Sequence, residues 1–367
     1  MKIYKYFLLI CFVLLINISV QNNILFSQSI ERKPLVAYLQ DSLWHILDEN
    51  GKDMFKPMKI TYLAGYSEGY FVIRKLVGKD TIWGYMNLQG KMAVPPKAKF
   101  LDLFHNGYAR YATWEIGLED IKYWGYIRND GVGITPPMYL DATDFNEGYA
   151  FVMNYDERGY IDTTGKIVKH FKFGFGEPFY EGLAVIQDTA AHFGYIDKSF
   201  KVKIPLEFDE AHNFSQGLAR VNKNGYFGYI DTNGLMAIPA FFVMATDFKE
   251  NRAFVAHSAK LDSIKWAPIT SSGKILTDFI FDDIRDFSQG ISAVKQNDSW
   301  FYINLMGDKY LNTEFEFAES FIDGLAFVKE KKGKKRQGYI DITGKFQIII
   351  PKDAKYIFDL RLNRLCE

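Results

Sequence analysis

Cysteine is almost absent from this sequence. Of its 367 residues only Cys11 and Cys366 are cysteines, and Cys11 lies in an apolar N-terminal segment. Once that segment is removed, no internal disulfide can form, which excludes a disulfide-stapled secreted scaffold and a cysteine-rich zinc site. The stability of the fold must therefore come from packing and from backbone pairing.

An excess of charge of either sign is absent too. Lys and Arg number 44, and Asp and Glu also number 44. A nucleic-acid-binding protein needs a broad basic face, so we expect no nucleic-acid partner. The one dense basic run contains Lys331, Lys332, Lys334, Lys335 and Arg336 in a lengthened turn. It predicts either a solvated turn or a local contact with an anionic surface such as an acidic glycan or a lipid headgroup.

Motifs of catalysis and metal binding are missing as well. The six histidines are scattered without metal-ligand spacing, and no serine lies in a Gly-x-Ser-x-Gly context. Acidic residues recur singly in turns, whereas a calcium loop needs several closely spaced oxygen ligands. We therefore predict a protein that is not an enzyme, with no catalytic residue, no cofactor and no metal. The recurring turn acids are Asp162, Asp197, Asp231 and Asp341.

The N-terminal residues have the pattern of an export signal. Lys2 and Lys5 precede an apolar run from Tyr6 to Val20, and Ser27 offers a small residue before a cut ahead of Gln28. We predict cleavage and export to the periplasm, the cell surface or the medium. The alternative is an uncleaved membrane anchor, since the run is nearly long enough to span a bilayer. Membrane contact is expected only in that case.

A repeated phrase occupies most of the chain. A typical copy has a glycine phrase, Phe-x-x-Gly-Leu-Ala-x-Val, then an aromatic phrase, aromatic-Gly-Tyr-Ile-Asp, then in several copies Gly-Lys and an apolar segment. Copies recur every 34 to 41 residues, and five of the six tryptophans stand at the first aromatic position. We predict structural roles for that position and for the glycine after it. These residues are Trp44, Trp83, Trp124, Phe193, Phe227, Trp266 and Trp300, with Gly84, Gly125, Gly159, Gly194, Gly228 and Gly338.

The copy at residues 216–239 reads as three short strands. Asn224-Gly225 favours a tight hairpin because both residues tolerate positive φ, and residues 231–234 fit a type I turn closed by glycine. Proline then ends the third strand. A lone meander cannot bury both faces, so each unit must stack on the next. We expect Gly228 to let an aromatic ring of a neighbouring unit lie flat on the backbone.

These patterns predict an all-β fold: a tandem array of about nine three-stranded antiparallel meanders, joined by connecting loops. No strand is evident beyond the array at either end, which favours an open or superhelical solenoid, with a closed propeller-like ring as the alternative. The predicted division is a signal peptide at 1–27, a leader at 28–34, the repeat array at 35–351 and a C-terminal tail at 352–367. Two copies lose the phrase glycine, at Ala267 and Phe301, and are expected to stack less closely or to bend the array.

The phrases Trp83-Gly84-Tyr85, Trp124-Gly125-Tyr126-Ile127 and Phe193-Gly194-Tyr195-Ile196-Asp197 resemble those of the WG repeat family. The resemblance covers about residues 35–351. It implies a bacterial, often exported, all-β repeat protein, and it carries over no catalytic residue or cofactor.

Three functions follow as hypotheses. The first is a non-enzymatic binding or scaffold protein of the cell envelope or exterior, with a protein or glycan partner that touches several units. The second is a carbohydrate-binding array that uses exposed aromatic rings as platforms. The third is an enzyme with an unrecognised site in the unmatched segments 113–122 or 257–265.

Overall fold

A computed structural model describes residues 32–93, 98–115, 118–171, 174–257 and 264–366. The predicted signal segment and residues 28–31 of the leader lie outside the described residues. The described chain contains no α-helix and has 34 strands in eight antiparallel sheets, which confirms the predicted all-β array of small meanders.

Nine repeat units follow one another, and each is built around two strands that carry the glycine phrase and the aromatic phrase. The strands of units 1 to 4 are β1 (Pro34–Gln40), β2 (Leu43–Asp48); β3 (Tyr62–Ser67), β4 (Tyr70–Val77), β5 (Asp80–Asn87), β6 (Met92–Ala93); β7 (Phe100–Leu101), β8 (Tyr108–Glu115), β9 (Leu118–Arg128), β10 (Gly133–Tyr139); β11 (Asp141–Ala142), β12 (Tyr149–Met153), β13 (Arg158–Asp162) and β14 (Ile167–Phe171).

Units 5 to 9 repeat this plan, and two further strands follow unit 9. The strands of this half are β15 (Phe175–Gly176), β16 (Leu183–Gln187), β17 (Phe193–Asp197), β18 (Val202–Phe208); β19 (Glu210–Ala211), β20 (Leu218–Lys223), β21 (Tyr226–Asp231), β22 (Met236–Phe242); β23 (Met244–Ala245), β24 (Arg252–His257), β25 (Lys265–Thr270); β26 (Asp283–Ile284), β27 (Ile291–Gln296), β28 (Ser299–Asn304); β29 (Phe315–Ala318), β30 (Leu325–Glu330), β31 (Gln337–Asp341), β32 (Phe346–Ile350); β33 (Lys355–Asp359) and β34 (Arg364–Leu365).

A full unit has four strands in the order a, b, c and d. Strands b, c and d are the three predicted from the repeat. Strand a lies in the segment predicted as a connecting loop, where Glu210 and Ala211 pair with Asn222 and Val221. It is only two residues long in most units, too short to leave an alternating pattern in the sequence.

The phrase glycine makes room for strand d of its own sheet. A Cβ on Gly228 would lie 2.6 Å from the carbonyl oxygen of Ile238, and one on Gly194 would lie 2.7 Å from that of Ile204. The register shifts here, so backbone crosses the position that a side chain would fill. The expectation that a neighbouring unit's ring occupies this space was therefore wrong.

Units without this glycine also lack a regular strand d. His45, Ala267 and Phe301 stand at the glycine position of units 1, 7 and 8. In the described residues their c strands make only isolated bridges on that side, apart from a single pair between Trp300 and Phe315. The missing glycine thus coincides with loss of the edge strand.

Tyrosine of the aromatic phrase links each unit to the next. In six units its hydroxyl donates a hydrogen bond of 2.6–2.8 Å to a backbone carbonyl 17 residues further on, at the end of strand a of the following unit. All six tyrosines are buried, and burial raises the pKa of each, so each stays a protonated donor. They are Tyr85, Tyr126, Tyr160, Tyr195, Tyr229 and Tyr302.

The first and last parts of the described chain pair with each other. Strand β33 pairs antiparallel with β1, with Val36 opposite Asp359. One buried cluster joins Val36 of unit 1 to Tyr339 and Ile348 of unit 9, and further clusters connect the consecutive units between them. The stack of sheets thus closes on itself, as in the ring-like alternative. The favoured open or superhelical solenoid was wrong, because a strand beyond the array pairs with β1.

Residues 352–367, which the sequence marks only as a tail, supply the closing strand. Tyr339 has no following repeat to bond, and its hydroxyl donates instead to the Asp359 carboxylate at 3.1 Å. Arg361 neutralises that buried carboxylate at 2.7 Å and also donates to the carbonyl of Ile322. Strand β33 carries none of the repeat phrases, so the sequence pattern did not reveal it.

Replacing Gly228 with alanine should detach strand d of unit 6. The added Cβ collides with backbone, which cannot move aside as a flexible side chain would, and overpacking of this kind costs about 1–3 kcal/mol. We expect a lower unfolding midpoint in urea and faster hydrogen exchange in residues 236–242. The control is Gly133→Ala, where a Cβ meets nothing within 4 Å. Equal effects of the two changes would contradict this role for the phrase glycine.

Replacing Tyr229 with phenylalanine tests the link between units. The ring stays buried, but the carbonyl of Thr246 loses its donor, and an unsatisfied buried acceptor costs about 1–3 kcal/mol. We expect that loss in the free energy of unfolding measured by urea denaturation. Tyr226→Phe on the same strand is the matched control, since that ring is 49% exposed. Wild-type stability of the Tyr229 variant would rule the link out as a stabilising contact.

Candidate binding surface

Rings at the first aromatic position do not form a solvent-facing row. Trp44 and Trp300 are buried, and the rings of Trp83 and Trp124 are partly buried. The remaining members of the predicted set, Phe193, Phe227 and Trp266, are also partly buried.

Arginines of strand b, or of the adjoining strand a, cover several of these rings. Guanidinium carbons lie 5.2 Å from the ring centroid of Trp124 and 4.4 Å from that of Trp300. The covering residues are Arg110 and Arg285, which also reach the acids of the following unit at 3.0 Å for Asp144 and 3.2 Å for Glu319. The rings are therefore parts of the joints between units, and they do not provide the flat platforms that the carbohydrate hypothesis requires.

The acids in the turns between strands c and d accept hydrogen bonds from N–H groups of the same turn. The Asp231 carboxylate accepts hydrogen bonds from the N–H groups of Asn233 and Leu235, both at 2.9 Å. Equivalent bonds hold the turns that begin at Asp162, Asp197 and Asp341. The hydroxyl groups of Thr164, Ser199 and Thr343, together with these N–H groups, lower the pKa of the first, second and last of these acids, and the N–H of Leu235 lowers that of Asp231. Turn formation, as predicted, accounts for the recurring acids.

Turns between strands a and b are joined from unit to unit. Each has two residues at positive φ, usually an acid or amide followed by glycine. The Glu181 carboxylate accepts the N–H groups of Gln216 and Gly217 in the next unit, and Glu250 accepts those of Gln289 and Gly290. The contact repeats around much of the ring, and we call the series the turn belt. Its other acceptors are Glu68, Glu147, Gln216 and Gln289.

The two ends of the strands therefore form two different faces. On the stapled face, the a–b and c–d turns keep the same short form in most units and are tied by hydrogen bonds. On the hairpin face, the b–c connections vary in length and composition; those that are fully described range from two residues at 224–225 to six at 331–336. Among the described connections, the b–c hairpins vary most in length from unit to unit.

The basic run lies on the hairpin face as the connection between β30 and β31. Lys331 donates to the carbonyl of Asp298 and to Ser299 in unit 8, and Arg336 pairs with Glu330 at 2.6 Å. Two of the five predicted anion contacts are thus used within the protein. The other three are exposed and make no ion pair with the described residues: Lys332, Lys334 and Lys335.

Two cavities border the C-terminal hairpin formed by β33 and β34. The larger, of about 870 Å³, lies where units 9, 1 and 2 meet, and the smaller, of about 440 Å³, lies beside units 8 and 9. The hairpin reaches across the ring: Asn363 accepts the N–H of Tyr66 in unit 2, and Arg364 pairs with Glu319 in unit 9.

No His, Cys, Asp or Glu cluster in the described part of the chain has the composition of a metal site. Burial raises the pKa of the Cys366 thiol to about 12, so this thiol stays protonated and is a poor nucleophile.

Across the described residues, no helix is long and apolar enough to cross a membrane. The segments 113–122 and 257–265, which were the candidates for an enzyme site, lie partly outside the described residues.

An Asp231→Asn variant should make stability less dependent on pH. The folded pKa of Asp231 is lowered, so this group stabilises the fold above its unfolded pKa of about 3.9, and the stabilisation is lost as pH falls through the folded pKa. Asparagine keeps the two acceptor bonds without titrating. We expect a flatter curve of unfolding free energy between about pH 4 and pH 2.

The reciprocal control is Asn87→Asp, because the amide oxygen of Asn87 already accepts the N–H groups of Gln89 and Lys91. This change should steepen the same curve. If neither variant alters the slope, the turn carboxylates do not contribute to acid unfolding.

Comparison with known proteins agrees with the repeat. The search of curated proteins finds no match. Among solved structures, the crystal structure of BamB from Moraxella catarrhalis is similar with a TM-score of 0.39 and 10% identity, over 73% of this chain and 93% of that chain. A profile described as "WG containing repeat" matches residues 83–112, 124–156, 159–188, 193–227, 227–258, 269–300 and 300–334. These matches cover more than half of the sequence, and the chain belongs to the WG repeat family.

Proposed function

We propose that this chain is a non-enzymatic binding or scaffold protein, exported to the cell envelope or beyond, and that its partner docks on the hairpin face. The observation that carries this proposal is the contrast between the two faces. A repeat protein presents an extended surface in which neighbouring loops act together. Variation concentrated in one set of loops is typical of a binding surface on a fixed scaffold.

The use made of polar groups supports a scaffold. Of the tyrosines whose pKa is most strongly raised, six donate to carbonyls of the next unit and Tyr339 donates to Asp359. The turn acids accept N–H groups, and Arg110 and Arg285 bridge units. Groups of these types often perform chemistry in enzymes, but here each one has a structural partner. Among the described basic side chains of the long hairpin, Lys332, Lys334 and Lys335 stay available to an acidic partner.

The partner we favour is a protein rather than a glycan. The aromatic rings that a sugar would stack on are covered by arginine or packed between units. A protein with an acidic patch could instead contact the exposed lysines of the long hairpin at 331–336, and opposite charges would steer the approach.

Footprinting of a complex tests the docking face. The protein would be used to isolate binders from envelope and secreted fractions of the source organism, and hydrogen exchange of the purified complex would be compared with that of the free chain. We expect new protection in the b–c hairpins of several units. Protection confined to the stapled face, or no binder from any fraction, would overturn the proposal.

Hairpin replacement provides the matched variant. Residues 331–336 would be exchanged for Asn-Gly, the turn that unit 6 uses at 224–225, and the control would be Lys345→Ala in a c–d turn of the same unit. We expect the replacement to weaken partner binding by about tenfold or more, since each lost charge-assisted contact is worth about 1.5 kcal/mol. The control should bind as wild type.

Export is tested separately by the mass of the chain after expression with its N-terminus intact in a bacterial host. We expect a mature protein that begins at Gln28 in the exported fraction. A full-length chain in the membrane fraction would instead favour the anchor.

A further inference from the structure

We infer that the 870 Å³ cavity at the seam of the ring is a carboxylate-binding site, with an acidic peptide side chain as its ligand. This inference goes beyond the scaffold role and does not depend on it. It rests on the seam, where the turn belt is interrupted on both sides of unit 1 and a cavity lies at the interruption. The belt is also interrupted between units 3 and 4, but there the Asn106 amide donates to Phe145 and Asn146 of the next unit.

The turn belt shows which hydrogen bonds an a–b turn makes at a regular junction between units. In four consecutive junctions, from units 4 and 5 to units 7 and 8, a side-chain oxygen of one a–b turn accepts the backbone N–H of the next turn at 2.6–3.1 Å. Positive φ at both turn residues directs these N–H groups toward the preceding unit, so the turn behaves as a small anion-binding concavity.

At the seam this acceptor is missing on both sides of unit 1. The equivalent turn of unit 1 is Lys33-Pro34, in which proline has no N–H and the N–H of Lys33 donates to Glu49 at 2.7 Å. Asp323 of unit 9 therefore has no turn N–H to accept, and within the described residues its carboxylate makes no hydrogen bond.

The next turn, Glu68-Gly69 of unit 2, faces a lysine instead of an acid. Gly217 and Gly290 each donate to a carboxylate from the preceding unit, but the described chain supplies none to the N–H of Gly69. Lys33 is exposed and forms no ion pair with the described residues. The repeat pattern thus leaves the N–H of Gly69 and one ammonium group around a position that a carboxylate fills at other junctions of the ring.

The cavity lies at this position, and most other charged groups that line it are already paired within the protein: Arg32 with Asp48, Glu49 with the N–H of Lys33, and Glu68 with the N–H of Gly107. Lys33, Glu68, Gly69 and Asp323 all line it. Arg361, on its wall, is committed to Asp359, and Asn363 is committed to Tyr66. A ligand carboxylate would therefore meet Lys33 and the N–H of Gly69, while Asp323 accepts an amide N–H of the same ligand. That combination matches a glutamate or aspartate side chain within a peptide.

A substitution that supplies the missing acceptor tests, without any ligand, whether the N–H of Gly69 lacks one. Lys33→Glu places the repeat's own acceptor opposite Gly69, and we expect Tm to rise by about 1–3 °C. Lys56→Glu is the control, because Lys56 is an exposed lysine of the same unit that does not line the cavity. An unchanged or lower Tm for Lys33→Glu, with Lys56→Glu unchanged, would show that no acceptor is missing.

Binding is then measured by isothermal titration with acetyl-Gly-Glu-Gly-amide as probe, using the full chain, its Lys33→Glu variant and its Lys56→Glu variant. The glutamate peptide should bind wild type and Lys56→Glu equally. The glutamine peptide acetyl-Gly-Gln-Gly-amide, and the Lys33→Glu protein, should each show affinity lower by about tenfold or more.

A succinate titration separates the two sources of a carboxylate. Weaker binding of succinate than of the glutamate peptide supports a peptide ligand, because succinate cannot donate an N–H to Asp323. Tighter binding of succinate overturns the peptide assignment in favour of a small free acid. Equal affinity for the glutamate and glutamine peptides, or no binding by any probe, overturns the site altogether.

Discussion

The hydrogen bond from a buried tyrosine hydroxyl to a carbonyl of the next unit is the contact on which this architecture depends. Donor and acceptor are separated by 17 residues in six units, so the same bond fixes both the spacing along the chain and the position of the next unit in space. A buried hydroxyl without a partner is costly, so a unit that lacks its neighbour leaves both a polar group and an aromatic face unsatisfied. The short strand a forms where this acceptor must be presented, which explains why it occurs in a segment with little strand character of its own.

At the end of the array, the hydroxyl of the last repeat tyrosine, Tyr339, needs a different acceptor. After unit 9 no further repeat follows, and the chain substitutes a carboxylate, Asp359, for the carbonyl. A buried carboxylate is expensive unless it is paired, and Arg361 pairs with it from the same hairpin. The C-terminal hairpin therefore closes the ring and supplies its own neutralising charge. The closure brings units 9, 1 and 2 together without a regular junction, and this irregularity leaves the seam cavity.

The stapled face maintains the architecture, whereas the hairpin face is the proposed surface for a partner. On the stapled face, hydrogen bonds between turns keep the units in register, so substitutions there act first on stability. The b–c hairpins project from the opposite ends of the strands and carry few contacts that the ring requires, so their length and charge can change at little cost. Lys331 is the exception, since it reaches back to unit 8. A protein built in this way can keep one scaffold while it changes the surface that meets a partner.

Much of the fold follows from sequence alone. Alternation and turn residues specify strands b, c and d, because both are local properties of a few adjacent residues. They do not specify strand a, which is too short to alternate, or strand β33, which carries no repeat phrase and is recognised only when it pairs with β1. The role of Gly228 was misassigned for a related reason: its need for space is evident in the sequence, but the backbone that occupies the space comes from a register shift. The vacant acceptor at the seam is likewise invisible in the sequence, since Lys33 and Gly69 become neighbours only through stacking of units. Local periodicity thus determined the strands and the repeat, whereas contacts between distant segments decided the ring, its closure and its cavities.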